Sequence, residues 1–568
     1  MTSRDQFATF APLNAQEHEM KDQSDYNYKR VIFLFLTLSL FSVHNGFAEQ
    51  LAETSAPTQT IQTIQVVGAT LLTDDQITDV THPFRGRELN MASITKLVEA
   101  ITGAYQKEGF FLARAYLPEQ EIEGGKVVVS VLEGRVGEIS ITGNEYYSTT
   151  FIQNHFIQID TPARSRLDLI KRSVLILDDY PDLSAEVLFK PGSAQGTTDM
   201  EIRIKDYQPI HLALDYNNFG SKLVSRDRFG IGVEMGNLLA DGHLLSLRSV
   251  LGSPLKNMTS TKGDYTAPLG YRGHTLHFSY MRGDFDVGRA FEKLDIQMKS
   301  ESMDISLSYP FVKERFSGFS GEVGLVRNNF TQSALGQITS QDKIRVLRGG
   351  LDYYKAADVT RDFLSFRLFQ GLGTFMGGMG RESPSPSRQA ADNQFTKGTV
   401  DWVRVRAVPE PYWMYHPFSL IFAGGIQWSS DNLVVGEQFP LGGPDSVRGY
   451  PSGEFLGDHG YRMSRELRVS PFPNTEKIQG AFFFDHGGGF IKKRLGADME
   501  EHYLTGMGLG VRFNFPGSVH LREPGPEIPG YIIDYQFQIR ADMGYPLYPR
   551  PSSSGKSPVY AIQAIGRF

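Results

Sequence analysis

From residue 209 to the end, the chain consists of short segments that alternate strictly between apolar and polar positions, separated by Gly, Pro, Asn and Asp. In "IIDYQFQIRAD" (532–542), Ile533, Tyr535, Phe537, Ile539 and Ala541 fall on one side, and Asp534, Gln536, Gln538, Arg540 and Asp542 on the other. "MGLGVRFNF" (507–515) sets Met507, Leu509, Val511, Phe513 and Phe515 against Gly508, Gly510, Arg512 and Asn514, and "FGIGVEMG" (229–236) repeats the pattern. Period two marks a strand with two unlike faces, because successive side chains leave the pleat on opposite sides. A soluble sandwich shows the same alternation. Charges and bare glycines on one face, however, suit strands that turn apolar side chains to lipid and polar ones to a wet lumen.

The other end of the chain carries an address. Lys29-Arg30 precede the largely apolar "VIFLFLTLSLFSV" (31–43), and "GFA" ends at Ala48. A charged start, a short apolar run and a small-residue cleavage site predict a secretory signal peptide over 1–48, of ordinary length if translation begins at Met20. The run is short for a helical span, which takes about 20 apolar residues, and no later segment supplies one. An exported chain without a spanning helix is either soluble or a β-barrel of the bacterial outer membrane. The abundance of Gly (58), Phe (39) and Tyr (25) favours the barrel. The absence of Cys excludes a disulfide framework, a Cys-liganded zinc and a Cys nucleophile. A net charge of −7 is too mild to predict a nucleic-acid partner.

Between these ends, after a short linker (49–60), lie two similar α/β units. The first, 61–134, reads as a strand "IQTIQVVG" (61–68), a helix over 91–108 and strands at 111–118 and 126–134. In the helix Ile94, Leu97, Val98, Ile101, Ala104 and Tyr105 recur at helical spacing, and Gly109 is placed to end it. The second, 135–207, repeats the order with a strand at 136–144, helical stretches at 148–156 and 165–178, and strands at 184–192 and 197–206. The fold class expected is therefore α+β periplasmic modules followed by a transmembrane barrel over 208–568, with about 16 antiparallel strands, an even number as bacterial barrels prefer.

If the modules are periplasmic, strand one runs outward and odd-to-even connections face outside. The long polar stretches 372–396, 488–503 and 543–557 fall there. The stretch 516–531 does not fit, being long for an inner-side turn. A further long connection, about 428–461, lies between strands 11 and 12 and holds "GGPDSVRGYPSGEF" (442–455). Its glycines allow a tight tip that folds into the lumen. "AFFFDHGGG" (481–489) reads as a wall strand with Phe482 and Phe484 toward lipid and Phe483 and Asp485 toward the lumen. Asp485 has no cation on its own strand, and Arg448 is its candidate partner through a bidentate fork, with Tyr450 packed on the wall. The bland alternative is a solvated Arg at a loop tip and an ordinary lumen carboxylate.

Catalytic signals are missing. "GLGTFMGG" and "GMGLG" lie in strand patterns and lead into no helix, so neither is a phosphate loop; no G-x-S-x-G or H-E-x-x-H occurs. His486 beside Asp485 points to the opposite face of its strand. No enzyme, cofactor or metal site is expected.

At this point the chain resembles a known family. The modules look like POTRA domains. Val447-Arg448-Gly449-Tyr450 is similar to the VRGY signature of an inward loop, and Phe482-x-Phe484-Asp485-x-Gly487 to the partner strand signature, of the BamA-like POTRA-barrel superfamily. Two modules, and the junction "LPEQEIEGGKVVVSVLEGRVGEISITGN" (117–144), resemble the TpsB transporters of two-partner secretion, the FhaC/ShlB haemolysin secretion/activation type. The resemblance covers roughly 61–568. It implies an outer-membrane translocator that catches an unfolded, TpsA-like β-helical exoprotein in the periplasm and passes it through the barrel without nucleotide hydrolysis. It also implies an Arg448–Asp485 lock. The partners it implies are the exoprotein, periplasmic chaperones, the barrel-assembly machinery and outer-membrane lipid. The last strand, "VYAIQAIGRF", with Tyr560 and the terminal Phe568 on one face, resembles the recognition signal of outer-membrane barrels. Many members carry an N-terminal plug helix, for which the residues between Ala48 and the first strand leave no room. An assembly or insertion factor shares both signatures but usually has three or more POTRA modules. A passive porin needs no modules, and no spare domain exists for a fused effector.

Overall fold

The computed structural model describes residues 60–157, 165–408, 418–472, 477–494, 501–520, 532–547, 553, 555 and 557–568. The expectations for the signal peptide, the start at Met20, the linker before Thr60 and the plug helix lie outside these residues. The chain divides into two compact units. One comprises residues up to 138 with 159–168 and 190–199; the other comprises 139–158, 169–189 and everything from 200 on.

The first unit is built around a small module of β1 (Thr63–Val67), α1 (Asp74–Thr81), α2 (Met91–Lys107), β2 (Arg114–Tyr116) and β3 (Lys126–Leu132). Its sheet order is β1-β3-β2, with β1 parallel and β2 antiparallel to β3. The helical repeat of Leu97, Ile101 and Tyr105 packs against Val127 and Val129 of β3 in one apolar core. Asn90 caps α2 by accepting from the Ser93 amide, and Gly109, at φ +90°, ends the run. The sequence reading missed α1, whose polar sequence DDQITDVT carries little periodicity. Its signal was the capping box, in which Thr73 and Gln76 satisfy each other's backbone amides. The strand expected at 111–118 shrinks to three residues. Continuation along β3 is supplied instead by the Gln120 side chain, which accepts from the Val128 amide at 2.8 Å and donates to the Val128 carbonyl at 2.7 Å.

Glu133 closes this module. It accepts from the amides of Thr70 (2.6 Å) and Leu71 (2.8 Å) and from the Tyr105 hydroxyl (2.7 Å). Burial alone would raise this carboxyl, but the bonds from Thr70, Tyr105 and Leu71 outweigh it and hold it below the ordinary range.

The second module follows with β4 (Arg135–Thr142), α3 (Thr149–Asn154), α4 (Leu167–Leu177), β5 (Leu183–Pro191) and β6 (Thr197–Asp206), and the division between the units runs through it. Its sheet order, β4-β6-β5, repeats that of the first module.

Sixteen strands then close a barrel. In chain order they are β7 (Ile210–Asn217), β8 (Arg228–Gly236), β9 (Leu244–Gly252), β10 (Met258–Pro268), β11 (Thr275–Asp286) and β12 (Gln297–Lys313). They continue with β13 (Ser317–Ala334), β14 (Gln337–Ala357), β15 (Thr360–Gly371), β16 (Thr396–Val408) and β17 (Phe418–Ser429). After a hairpin of β18 (Phe439–Leu441) and β19 (Phe455–Gly457) that stays outside the wall, β20 (His459–Val469), β21 (Ile478–Phe490), β22 (Glu501–His520), β23 (Ile532–Pro546) and β24 (Val559–Arg567) complete it. β24 pairs antiparallel with β7, so the sheet has no free edge. Phe568 continues this seam, exchanging backbone bonds with Leu212 at 2.9 and 3.0 Å, and its ring meets that of Phe537; Tyr560 is 53% exposed on the outer surface.

Within the second unit, even-to-odd turns meet the second module. Ser148 bonds Asp241 between β8 and β9, Asn154 bonds the Tyr271 hydroxyl between β10 and β11, and Arg172 bonds the Pro310 carbonyl at the end of β12. Phe151, His155 and Tyr180 surround this contact with Tyr271. Burial pushes His155 down, only partly offset by its bond to the Phe151 carbonyl.

Two boundaries differ from expectation. Residues 516–520, read as turn, extend β22, whose ladder with β23 runs to His520↔Ile532. The misfit in turn length arose there: "PGSVH" breaks the apolar pattern while its backbone stays paired. Conversely, "GLGTFMGG" is not a strand beyond Gly371; it forms a connection with a 3-10 turn at Phe375–Gly377. Its glycines admit tight backbone contacts, not strand packing.

Candidate functional site

The connection 430–458, between the eleventh and twelfth barrel strands, folds into the lumen. The β18–β19 hairpin carries its tip, residues 442–454. Phe439, Leu441, Val447, Tyr450 and Phe455 form one buried apolar cluster with Leu504 of β22. A polar-looking loop thus has its own core and reaches the wall as a solid element.

Alternation on β21 decides what it meets. Phe482 and Phe484 are 45% and 43% exposed on the outer surface, whereas Phe483 and Asp485 are fully buried on the inside. Arg448, 5% exposed, lies against that inner face. Its amide and Nε donate to Asp485 Oδ2 at 3.0 and 2.6 Å, and its Nη2 donates to Oδ1 at 2.8 Å. The fork is bidentate, as planar guanidinium geometry favours. Its plane covers the Phe483 ring, 3.5 Å from the centroid. Ser464 on β20 accepts from Arg448 Nη2 at 3.0 Å and donates to Asp485 Oδ1 at 2.7 Å.

Sequence reasoning missed the rest of the charge network. Arg448 Nη1 also bonds Glu466 of β20 and lies 3.7 Å from Asp542 of β23. Glu466 is shared with Arg468 and Arg512, and Asp542 with Arg512 and Arg540. Arg540 turns back to the tip, donating to the Pro444 carbonyl at 2.7 Å and to Asp445 at 3.1 Å. Each of these wall charges falls on the inner register of its strand, which was the available signal; what joins them is their juxtaposition across β20 to β23.

The wall is recessed by glycines. A Cβ on Gly506 would stand 1.9 Å from the Arg448 carbonyl oxygen, and one on Gly544 would stand 2.5 Å from the Gly449 amide nitrogen. Gly449 itself, at φ +100°, passes against the Tyr545 backbone, where only a residue without a side chain fits. Gly487 leaves room for Leu441 and Val447, and the Tyr450 hydroxyl donates to the Thr505 carbonyl at 3.1 Å. The structure therefore brings Val447, Arg448, Gly449 and Tyr450 onto Asp485 and Gly487. It places Phe482, Phe484, Tyr560 and Phe568 elsewhere, on the outer surface and at the seam. His486 faces away from Asp485 and contacts Tyr461 and Thr505.

A second set of contacts, also absent from the sequence reading, fixes the base of the loop. Asp458, fully buried, accepts from Arg388 Nη1 (2.6 Å) and from the amides of Leu433 and Lys492 (both 2.9 Å). Lys397 of β16 pairs with Glu437, both nearly inaccessible, and Asn328 of β13 bonds the same carboxylate at 3.1 Å. Leu433 and Val434 pack with Met379, Ala391 and Phe395, so the connection 372–395 covers the base.

Among the described residues, no group of three or more His, Asp or Glu has a metal-holding arrangement, and no helix is long and apolar enough to cross a membrane.

Comparison with known proteins places this architecture. Residues 196–513 match the haemolysin secretion/activation protein ShlB/FhaC/HecB, and residues 59–134 match the ShlB-type POTRA domain. The Heme/hemopexin transporter protein HuxB of Haemophilus influenzae is 24% identical over 73% of this chain and 72% of that protein. The Outer membrane transporter CdiB of Escherichia coli is 24% identical over 81% of this chain and 76% of that protein. The solved structure of CdiB from Escherichia coli shares the fold, with a TM-score of 0.71 at 18% identity, covering 98% of this chain and 98% of that one.

Proposed function

The chain belongs to the haemolysin secretion/activation family ShlB/FhaC/HecB, and as a two-partner secretion transporter of the outer membrane, with POTRA domains in the periplasm, it is gated, we propose, by the loop that Arg448 holds in its lumen. The observation that carries this reading is one buried guanidinium bonded to carboxylates of two wall strands, Asp485 and Glu466. Breaking one side of a buried ion pair costs about 3–5 kcal/mol, enough to keep the loop seated at rest.

We take the functional regions to be a signal peptide (1–48), POTRA 1 (61–134), POTRA 2 (135–207) and the barrel (208–568). The identical sheet order of the two modules supports reading the second as POTRA. Cargo is an unfolded, β-helix-forming exoprotein that adds a strand to a module edge, since an exposed edge offers unpaired backbone groups. It crosses in extended form and folds outside, without nucleotide hydrolysis or other enzymatic chemistry. Periplasmic chaperones and the barrel-assembly machinery deliver and insert the transporter through its last strand, Tyr560 to Phe568.

The test is the conductance of purified Arg448→Ala in planar bilayers beside secretion of the partner exoprotein by the same variant. Raised resting conductance with altered secretion is expected. Wild-type values for both would remove the lock. Deletion of the gene should strand one exoprotein in the periplasm; general loss of barrel proteins would indicate an assembly factor instead.

A further inference from the structure

The outer surface of β11 to β14 carries charge that neither the lumen nor the modules use. The strand directions locate it. β11 and β13 run away from the turns that meet the second module, so their last residues, with the first residues of β12 and β14, form the far rim. Cross-strand register lays out the rows. Phe278, Ile305, Leu325 and Leu347 stand side by side, and the last three are 42–43% exposed, as a lipid-facing band requires. One step further out is the row Tyr280, Met303, Arg327; then Arg282, Glu301, Asn329, Lys343; then Asp284, Lys299, Thr331, Gln341.

The last two rows enclose a shallow pocket of about 260 Å³, lined by Arg282, Lys299, Glu301, Asn329 and Lys343 among others. Its carboxylate is already engaged: Glu301 accepts from Tyr280 and Asn329, both at 3.1 Å, and lies 3.6 Å from Arg327. Arg282 reaches Asp284 at 3.2 Å. Lys299 and Lys343 are exposed, and their side chains have no hydrogen bond or ion pair with the described residues. Arg282, Arg327, Lys299 and Lys343 therefore face Glu301 and Asp284, with buried Arg345 in the Arg327 row bonding Asn329, immediately above a band that lies in acyl chains.

We propose that this pocket binds the phosphate-bearing headgroup of an outer-leaflet lipid. Lys299 and Lys343 supply unpaired ammonium groups to the phosphate, Arg282 closes one side, and the rows from Tyr280 down to Ile305 and Leu325 hold the acyl chains. Lysine is a point-charge phosphate ligand that needs no fixed fork, and an aromatic at the edge of the apolar band suits headgroup depth. The same cations would take a free phosphate, but only a lipid also uses the apolar rows.

Detergent-purified full-length protein tests this by native mass spectrometry with three probes: phosphorylated lipid A, the same lipid A stripped of phosphate, and inorganic phosphate. Wild type should retain the phosphorylated lipid preferentially. Lys299→Ala/Lys343→Ala should lose about thirtyfold in retention at low salt, from about fivefold per basic residue at an anionic surface, while Lys299→Arg/Lys343→Arg keeps it. The barrel's resistance to unfolding by heat in detergent should be the same for all three proteins. Equal retention of the stripped lipid, an unaffected alanine variant, or inorganic phosphate displacing the lipid at comparable concentration would each overturn the lipid assignment.

Discussion

The inward loop is held at two places, and they are built differently. At the tip the anchor is a side chain: Arg448 enters a wall in which Arg468, Arg512 and Arg540 already pair with Glu466 and Asp542, and in which Asp485 also has the Ser464 hydroxyl. If the tip leaves and water enters, the wall remains electrically neutral. At the base buried Asp458 takes the amides of Leu433 and Lys492 together with Arg388, beside the buried Lys397–Glu437 pair. Withdrawing the base would strand a buried carboxylate among orphaned amides, which is costly at each atom. One end of the loop is suited to release, the other to permanence.

Substitutions separate the two ends. The largest effect expected is from Arg448→Ala, which leaves buried Asp485 with the backbone amide at 448 and the Ser464 hydroxyl but no cation; the seated state should lose about 3–5 kcal/mol, read as resting conductance. Gly506→Ala should follow, because its Cβ meets the Arg448 carbonyl at 1.9 Å. Overpacking costs about 1–3 kcal/mol, so this variant should open the pore with every charge intact. If it conducts like wild type, the tip is not seated on that wall. Arg388→Ala should be milder, about 1–2 kcal/mol, because the two amides still hold Asp458. Its signature is faster hydrogen exchange over 431–437 with little change in conductance. An effect equal to that of Arg448→Ala would erase the distinction between tip and base.

The smallest effects lie in the periplasmic modules and depend on pH. Glu133 sits below its ordinary range, so its contribution is present above the unfolded carboxyl value of about 4.3 and fades as pH falls through the lower folded one. His155 is also depressed. Its contribution is present above about 6.5 and fades as pH falls, because the unfolded chain takes a proton that the buried ring refuses. Hydrogen exchange of 148–156 should therefore quicken on acidification, and His155→Phe should flatten that dependence.

The barrel was legible because each strand declares its own faces: Phe482, Phe484 and Asp485 needed only period two. The α2 face was legible by the same logic at period 3.6. The short α1 was not, since eight mostly polar residues give little periodicity. The end of β22 was not, since backbone pairing continues after the side-chain pattern stops. Arg448 and Asp485 could be paired because Asp485 faces inward on a strand that supplies no cation of its own. Glu466 and Asp542 could not be added, nor could Arg388 be matched to Asp458, seventy positions apart.

Sequence alone therefore determined the class of fold, the two faces of each strand, and which charges point inward, because these follow from local alternation. The tertiary structure decided which of those charges meet. Closure and register set the inner rows of β20 to β23 side by side, and glycines at Gly506 and Gly544 leave the space in which the tip of the loop is seated. A strand's sequence encodes its faces, whereas register is a property of the pair, fixed only when the whole sheet closes.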